Sequence, residues 1–521
     1  MAKTSDSNST KKKKVLKVSD GGWAWIVVVG SFFIQLSTDG IVYSFGILVP
    51  ILKSKFQGHD ATVSAIVSIL YGLTFILGPV ASIVTNKFGC RAATIAGSII
   101  ATAGCVASYF ANSISFLMVT MGCVMGIGFS LLYCPSIVIV SQHFEKRRGL
   151  ATGISVCGTS VGALVFPPIV NYFVNPGGQN TDKSRQLKGE DFWKNVYIFD
   201  SAVIFACLLC GLVFYPPEYV EESEEASSAP STKSGASRET SPNNIPSEAI
   251  TVEEESKTKD EEDATCCSRV KKAFKEAIDY TLLAHPVFMI YAISNFINCL
   301  GFNAPMIFIV NHLHSVDKAH TEIAPWCLSI FGIFYGIGSI LLGFIADRSF
   351  PCAAGKDKKR NRFHLYVLCQ SLCGISTIAC IGCTNFVSAA IYCAVSGLAM
   401  GGVVCLTSCV LVDIIGIERF TSGFGLLLLL QGIGTIIGPP FAGYLADITG
   451  PPTHYRWTFL FSGLTLFISG PMLYIIPLLS KSKMKVSRAS QDRIEASTTS
   501  HLRSSRTERQ LEAASTSRTE C

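Results

Sequence analysis

Charge is what this chain of 521 residues has least of. Asp, Glu, Lys and Arg make up 15% of it, against about 25% in an average soluble domain. What charge there is lies near the two ends, in a central stretch and in a few short loops. That distribution excludes a water-soluble globular core. The uncharged runs between do not alternate apolar and polar residues, which excludes a β-barrel as the spanning structure. Met1–Asp20 holds Lys11–Lys14 with no apolar run among them, so no cleavable leader is expected. No zinc-protease or phosphate-loop motif is present, and no metal or cofactor is expected. The net charge of +6 lies mostly beside apolar runs, as membrane topology requires, so no nucleic-acid partner is expected. Cys521 ends the chain without a prenylation box.

Twenty cysteines are present, most of them inside apolar runs, as at Cys369, Cys373, Cys380 and Cys383. Buried free cysteine behaves as a small hydrophobe. Cys380 and Cys383 form a C-x-x-C pair, but within an apolar helix that spacing reads as packing rather than as a metal or redox pair.

The long apolar runs are what the chain does have. Runs of ~18 or more apolar residues are read as transmembrane helices. Twelve are read here, six at 23–50, 62–86, 92–110, 115–141, 149–173 and 195–215, and six at 285–310, 325–346, 364–384, 386–412, 421–446 and 455–479. Between Glu218 and Asp263 stand fourteen acidic and four basic residues. Such a segment cannot bury enough surface to order itself and reads as a solvated tether. The expected organisation is an all-α polytopic membrane protein with a tail at 1–22, six helices within 23–215, an acidic linker at 216–284, six more within 285–479, and a disordered tail at 480–521. Arg269–Tyr280 has the spacing of an amphipathic helix, and Cys266-Cys267 beside it suits acylation.

Basic residues in short loops set orientation. With the N-terminus inside, the inner loops hold twelve Lys and Arg, among them Lys87, Arg91, Arg360 and Arg362, and the outer loops hold eight. Both termini and the tether are therefore expected on the cytoplasmic side. The outer loops contain no Asn-x-Ser/Thr acceptor, and Asn8-Ser9-Thr10 falls in the inner tail.

Gly338 to Arg348, ending Ala346-Asp347-Arg348, resembles Gly438 to Asp447, and Val80 to Arg91 has a similar cast. Each sets small residues along a helix and then a polar turn at the inner face. Small residues let helices approach closely, and a charged turn can latch neighbours in one conformation. Asp20-Gly21-Gly22-Trp23-Ala24-Trp25 opens the first span, and His143-Phe144-Glu145-Lys146-Arg147-Arg148-Gly149-Leu150-Ala151-Thr152-Gly153 opens the fifth. These two stretches resemble the signature motifs of the monocarboxylate transporter family, within the major facilitator superfamily. Tyr133 and Pro135, Gly301, Phe302, Ala304 and Pro305, Gly416, Arg419 and Phe420, and Gly438-Pro439-Pro440 add to the likeness.

The resemblance implies the major facilitator fold, alternating access, small organic acids as substrates, residence in the plasma membrane, and a single-span immunoglobulin-like ancillary glycoprotein. It implies gating roles for Asp20, Gly21, Trp23, Trp25, Lys146, Arg147, Arg148, Gly153, Asp347, Arg348 and Arg419. The residues themselves suggest simpler tasks. Trp23 and Trp25 suit the headgroup level, Asp20 complements the positive end of the helix it precedes, and Lys146, Arg147 and Arg148 suit an inner surface.

Departures from the family pattern bear on the substrate. Proton-coupled lactate carriers of this family use a lysine in span one and an Asp–Arg pair in span eight. Ile47, Tyr335 and Ser339 stand at those positions here. A carboxylate in a low-dielectric cavity needs a cation or several donors, so a lactate-and-proton mechanism of that type is not expected. Asp39 lies ~21 Å along its helix from Trp25 at 1.5 Å per residue, well inside the bilayer. It is expected to pair with a cationic group on a zwitterionic solute, such as creatine, carnitine or an amino acid, or to carry a coupling proton. Uncharged cavity candidates are Tyr43, Tyr71, Tyr133, Asn298, Asn303, Tyr335 and Gln431. Asp200 and Asp413 lie nearer the interfaces and are expected to be solvated. Gly158-Thr-Ser160-Val-Gly162 fits a serine-hydrolase pattern but lacks its strand–turn–helix setting and reads as close helix packing. The rivals to a carrier are a non-transporting sensor on the same fold and an intramembrane enzyme, and no paired catalytic constellation favours the latter.

Overall fold

The computed structural model describes residues 13–16, 20–56, 60–174, 193–216, 219–222, 281–316, 323, 326–349, 357–449 and 455–477. The stretch at 269–280 and Cys266-Cys267 lie outside them.

Eleven helices among the described residues are long and apolar enough to cross a membrane. One of them, Gly78–Tyr109, counts 32 residues, which at 1.5 Å each is about 48 Å and overshoots a ~30 Å hydrocarbon core. Gly89 divides it, at φ 83° and ψ 162°. An L side chain rarely adopts that conformation, and glycine does so freely. The parts on either side of Gly89 pack on different partners. A Cβ at Gly78 would meet Leu428 and Gly425, whereas one at Gly97 would meet Gly128 and Leu131. The chain therefore turns at Gly89, which gives twelve candidate spans among the described residues.

They are named here in order: α1 (Trp23–Ser44), α2 (Asp60–Ile76 with 78–88), α3 (90–109), α4 (Ile114–His143), α5 (Arg148–Val174), α6 (Trp193–Val213), α7 (Pro286–Phe302 with Ala304–Val316), α8 (Trp326–Ala346), α9 (Lys358–Ala379), α10 (Phe386–Ile415), α11 (Phe420–Thr449) and α12 (Arg456–Met472). Side chains such as Val29, Leu209, Leu368 and Ile391 stand exposed on these helices, as a lipid-facing surface requires. Helix α9 begins six residues before the expected start, because Asp357 caps it by accepting from the Lys359 amide at 3.0 Å.

The packing is duplicated. Helices α1 and α5, α3 and α4, and α3 and α6 pair in the first half, and α7 and α11, α9 and α10, and α9 and α12 pair in the second. The halves meet through α5 against α8 and α2 against α11, which are equivalent seams of a six-plus-six repeat. Several spans are interrupted. Helix α1 ends in a 3₁₀ turn at Phe45–Ile47, α4 carries a π segment at Met118–Val124, and α7 breaks at Asn303. Broken helices of this kind are common where a carrier binds its solute.

One feature differs from expectation. Lys13–Leu16 pairs antiparallel with Tyr219–Glu222, in a register that sets Lys13 opposite Glu222 and Lys14 opposite Glu221. The tail and the start of the acidic stretch thus share a two-stranded ribbon.

Glycines decide the closest approaches. A Cβ at Gly158 would lie 2.2 Å from Phe32 O, and one at Gly162 2.3 Å from Leu36 O. The G-x-S-x-G stretch is therefore where α1 and α5 touch backbone to backbone. Gly158→Val is expected to prevent folding. The yield of monodisperse protein in detergent would fall at least tenfold against wild type, and normal yield would contradict this contact.

Candidate functional site

Two places carry the polar chemistry: a buried carboxylate inside the first span and a charged seam at one end of the bundle.

Asp39 is 6% exposed on α1. Thr159 of α5 donates to it at 2.5 Å. Tyr43 follows one helical turn later on the same face and is within hydrogen-bonding reach of Tyr71. Asp39 acts electrostatically on Tyr43, Tyr71, Tyr133 and Tyr335. Those tyrosines come from α1, α2, α4 and α8, so both halves contribute. Tyr43 is 48% accessible, and Tyr71 and Tyr133 are half-buried. Their rings are braced through Phe75, with centroids 4.8 Å from Tyr71 and 5.2 Å from Tyr133. Neither Trp23–Ile47 nor Trp326–Ala346 contains a Lys or Arg.

The other candidates are on the second half, where Gly432 beside Gln431 packs on Phe75 and Cys299 beside Asn298 acts electrostatically on Tyr133. Gln431 donates to Asn295 Oδ1 at 3.0 Å, and Asn295 also accepts from Tyr366 at 3.3 Å. Gln431 is thus tied into a polar network of the second half. Asn298 is buried, and its Nδ2 has no hydrogen-bond partner among the described residues. Asn303 sits at the break in α7.

At the seam, the two family-like stretches bind each other. The Asp20 carboxylate accepts from the amides of Lys146 at 3.0 Å, Glu145 at 3.1 Å and Arg147 at 3.4 Å. Trp25 packs edge-on against Phe144 at 5.0 Å, and the Trp23 indole donates to Val213 O at 3.1 Å. Asp20 therefore serves the start of α5 and not, as expected, the helix it precedes. Its φ of 43° turns the chain to allow this. Asp20→Ala leaves those amides without their acceptor, a loss of about 2 kcal/mol. The melting temperature should fall by several degrees, with Asp20→Asn in between. An unchanged melting temperature would refute the role.

Arg148 is 7% exposed and gives its Nε to Phe144 O at 2.9 Å, so it braces the α4–α5 turn, whereas Lys146 and Arg147 are exposed as expected. Across the seam, Asp347 accepts from Gly149 N at 3.1 Å and Leu150 N at 2.9 Å. The first amides of a helix lack internal partners and carry positive potential, so a carboxylate suits them. Burial raises the Asp347 carboxyl above its ordinary range, against the lowering effect of those amides and of Arg362. Arg362 contacts Asp347 at 3.6 Å and both oxygens of Asp413 at 3.1 Å. Gly149 meets Gly343, and Gly153 meets Ser339, with no room for a Cβ. At the equivalent seam, Asn86 donates to Ser422 at 2.9 Å, close to the start of α11. Lys146, Arg147, Arg348 and Lys358 line a cavity of about 600 Å³ over this closure, and Arg348 lies on the Phe344 ring at 4.6 Å. Arg419 is exposed in the α10–α11 turn.

Two expectations fail. Asp200 is 2% exposed, and its Oδ1 has no hydrogen-bond partner among the described residues. Asp413 pairs with Arg362. Both were assigned to water because of their distance from the middle of a span, but α6 packs closely on α3 and α9 on α10. Sequence reasoning also passed over Thr159, Asn295 and Arg362. Thr159 lay within the glycine-rich run, and Arg362 was counted among the loop charges. Among the described residues, no group of three or more His, Cys, Asp or Glu is placed to hold a metal ion.

The duplicated packing and the α5–α8 and α2–α11 seams define a polytopic helical bundle of two similar halves. A family model described as "Major Facilitator Superfamily" matches residues 31–308 and 287–511, and the chain belongs to that superfamily. Within it, the chain is of the monocarboxylate-transporter type. It is 27% identical to monocarboxylate transporter 12 of Xenopus laevis over 471 residues, covering 89% of this chain and 91% of that protein. It is 27% identical to monocarboxylate transporter 6 of Homo sapiens over 462 residues, covering 88% and 82%. Among solved structures, the transporter FucP in the outward conformation aligns with a TM-score of 0.59 at 12% identity, covering 87% of this chain and 98% of that one. The proton:xylose symporter XylE aligns at 0.58 and 12% identity, covering 87% and 95%. These last two share the fold. As a multi-pass carrier, the chain has a lipid bilayer and a small-molecule solute as its partners.

Proposed function

We propose that this chain carries a small zwitterionic carboxylate across the plasma membrane by alternating access, with both termini in the cytoplasm. The observation that supports this most is the Asp39 cluster. A buried carboxylate stands among tyrosines of both halves, in spans free of Lys and Arg. A solute bringing its own cation would pair with Asp39, and its carboxylate would take donors from the tyrosine hydroxyls. The names of the relatives point to monocarboxylates, which fits the carboxylate half of such a solute. Asp347, backed by Arg362 and Asp413, holds the cytoplasmic end shut across the seam and releases it when the halves rock, while Asp20 fixes the α4–α5 turn beside it. Gly21, Gly153, Trp23, Trp25, Arg348 and Arg419 shape that hinge region. The mechanism calls for no cofactor.

The second reading is a proton-linked monocarboxylate symporter in which Asp39 binds the proton, Thr159 serving as its hydrogen-bond donor. The two part in one assay. Cells expressing the protein are given labelled betaine-type zwitterions, amino acids and simple monocarboxylates at several external pH values. Uptake of the zwitterions with little dependence on pH is expected. Acid-stimulated uptake of simple monocarboxylates alone supports the symporter, and the absence of flux for every solute supports a non-transporting sensor.

A further inference from the structure

Four thiols meet at the end of the second half opposite the charged seam. Cys327 lies at the start of α8, Cys380 and Cys383 at the end of α9, and Cys393 near the start of α10. All four are buried within one small apolar cluster with Ile309, Leu313 and Phe459. Other buried thiols find oxygen partners, as Cys405 does at Gly149 O and Cys207 at Val203 O. Here they partner each other: Cys327 with Cys393, and Cys380 with Cys383.

The backbone brings each pair within reach of a bond. Helices α8 and α10 run side by side in one register. A Cβ at Gly401 would lie 2.2 Å from Tyr335 O, and one at Gly397 2.5 Å from Phe331 O. One further turn outward along both helices sets Cys393 opposite Cys327. Within the other pair, the Cys383 amide donates to Cys380 O at 3.0 Å. Such a turn holds its end Cα atoms within about 7 Å, and a disulfide spans about 4.4–6.8 Å. A hydrogen bond from Cys380 draws the Cys383 thiol down from 9.0 to about 7, which favours the nucleophilic thiolate.

We infer that Cys327–Cys393 and Cys380–Cys383 close as two disulfides at the outer face of the second half, one fastening α8 to α10 and one bracing the α9–α10 turn. This rests on the orientation proposed above, which puts that end outside, where disulfides persist. The oxidant is a disulfide of the secretory lumen. One cysteine thiolate attacks it and expels one of its sulfurs as a thiol. The second cysteine then attacks the mixed disulfide and expels the other. Two thiols lose two protons and two electrons, and the oxidant leaves as two thiols. Neither bond crosses between the halves, so both leave the rocking motion free.

The test takes full-length protein from the surface of intact cells. Thiols are blocked with N-ethylmaleimide before lysis and again in detergent, and peptides are mapped without and with reduction. The linked pairs 327–393 and 380–383 are expected, and a membrane-impermeant reductant should lower the melting temperature by several degrees. In Cys327→Ser, Cys393 should become alkylated while 380–383 stays linked. All four positions alkylated before reduction would overturn the inference, as would links between α9 and α10. An epitope tag in the acidic stretch separates the cases. If the tag is intracellular and the thiols are free, the disulfides fail while the orientation stands. If the tag is extracellular, both fail.

Discussion

Asp39→Asn is expected to lower zwitterion uptake about 100-fold while leaving the amount of protein at the cell surface unchanged. Asparagine is nearly the same size and keeps an oxygen for Thr159 at the 2.5 Å position, so the fold should hold. What it removes is the charge. Stranding one member of a buried ion pair costs about 3–5 kcal/mol, and every 1.4 kcal/mol is tenfold. The lower figure already gives about 100-fold. Asp39→Glu restores the charge on a longer arm and should recover part of the flux. Surface biotinylation run beside the uptake assay separates lost transport from lost delivery. Full uptake by a correctly delivered Asp39→Asn would remove the substrate role from this carboxylate.

Asp347→Ala is expected to open the charged seam between α5 and α8. The carboxylate accepts two amide hydrogen bonds from the start of α5 and lies 3.6 Å from Arg362. Hydrogen bonds to a charged group contribute about 1.5–3 kcal/mol each, partly regained from water on opening. A net shift of about 3 kcal/mol moves the closed-to-open ratio about 100-fold. Spin labels at the exposed positions 146 and 358, on either side of the seam, should then report a longer distance in the variant than in the wild type. Asp347→Asn retains one acceptor and should give a mixture. Identical distance distributions would mean that glycine packing alone, at Gly149 against Gly343 and Gly153 against Ser339, holds the seam.

The spans were legible because each is a single long apolar run, and even the turn at Gly89 falls between the two runs expected there. The breaks inside α4 and α7 were not, because a π segment or a kink leaves the apolar pattern almost unchanged. Asp39 and its tyrosines stood out as polar residues too costly to leave facing lipid. Residues whose partners are remote in sequence stayed hidden. Asp20 serves amides 125 to 127 positions away, and Arg362 reaches Asp413 51 positions on. Periodicity carries no record of such pairings. Asp200 was misplaced for a related reason, since burial near an interface depends on how closely α6 sits on α3. Cys380 and Cys383 were weighed as a C-x-x-C pair and read as packing, and only the shared register of α8 and α10 sets Cys327 opposite Cys393.

The most direct test of the account is counterflow in proteoliposomes of purified protein. Vesicles preloaded with an unlabelled zwitterionic carboxylate should accumulate the labelled solute transiently. Vesicles preloaded with a simple monocarboxylate should not, and Asp39→Asn should abolish the accumulation that the zwitterion preload drives. Equal accumulation with either preload, or accumulation that survives Asp39→Asn, would contradict a solute site built around that carboxylate.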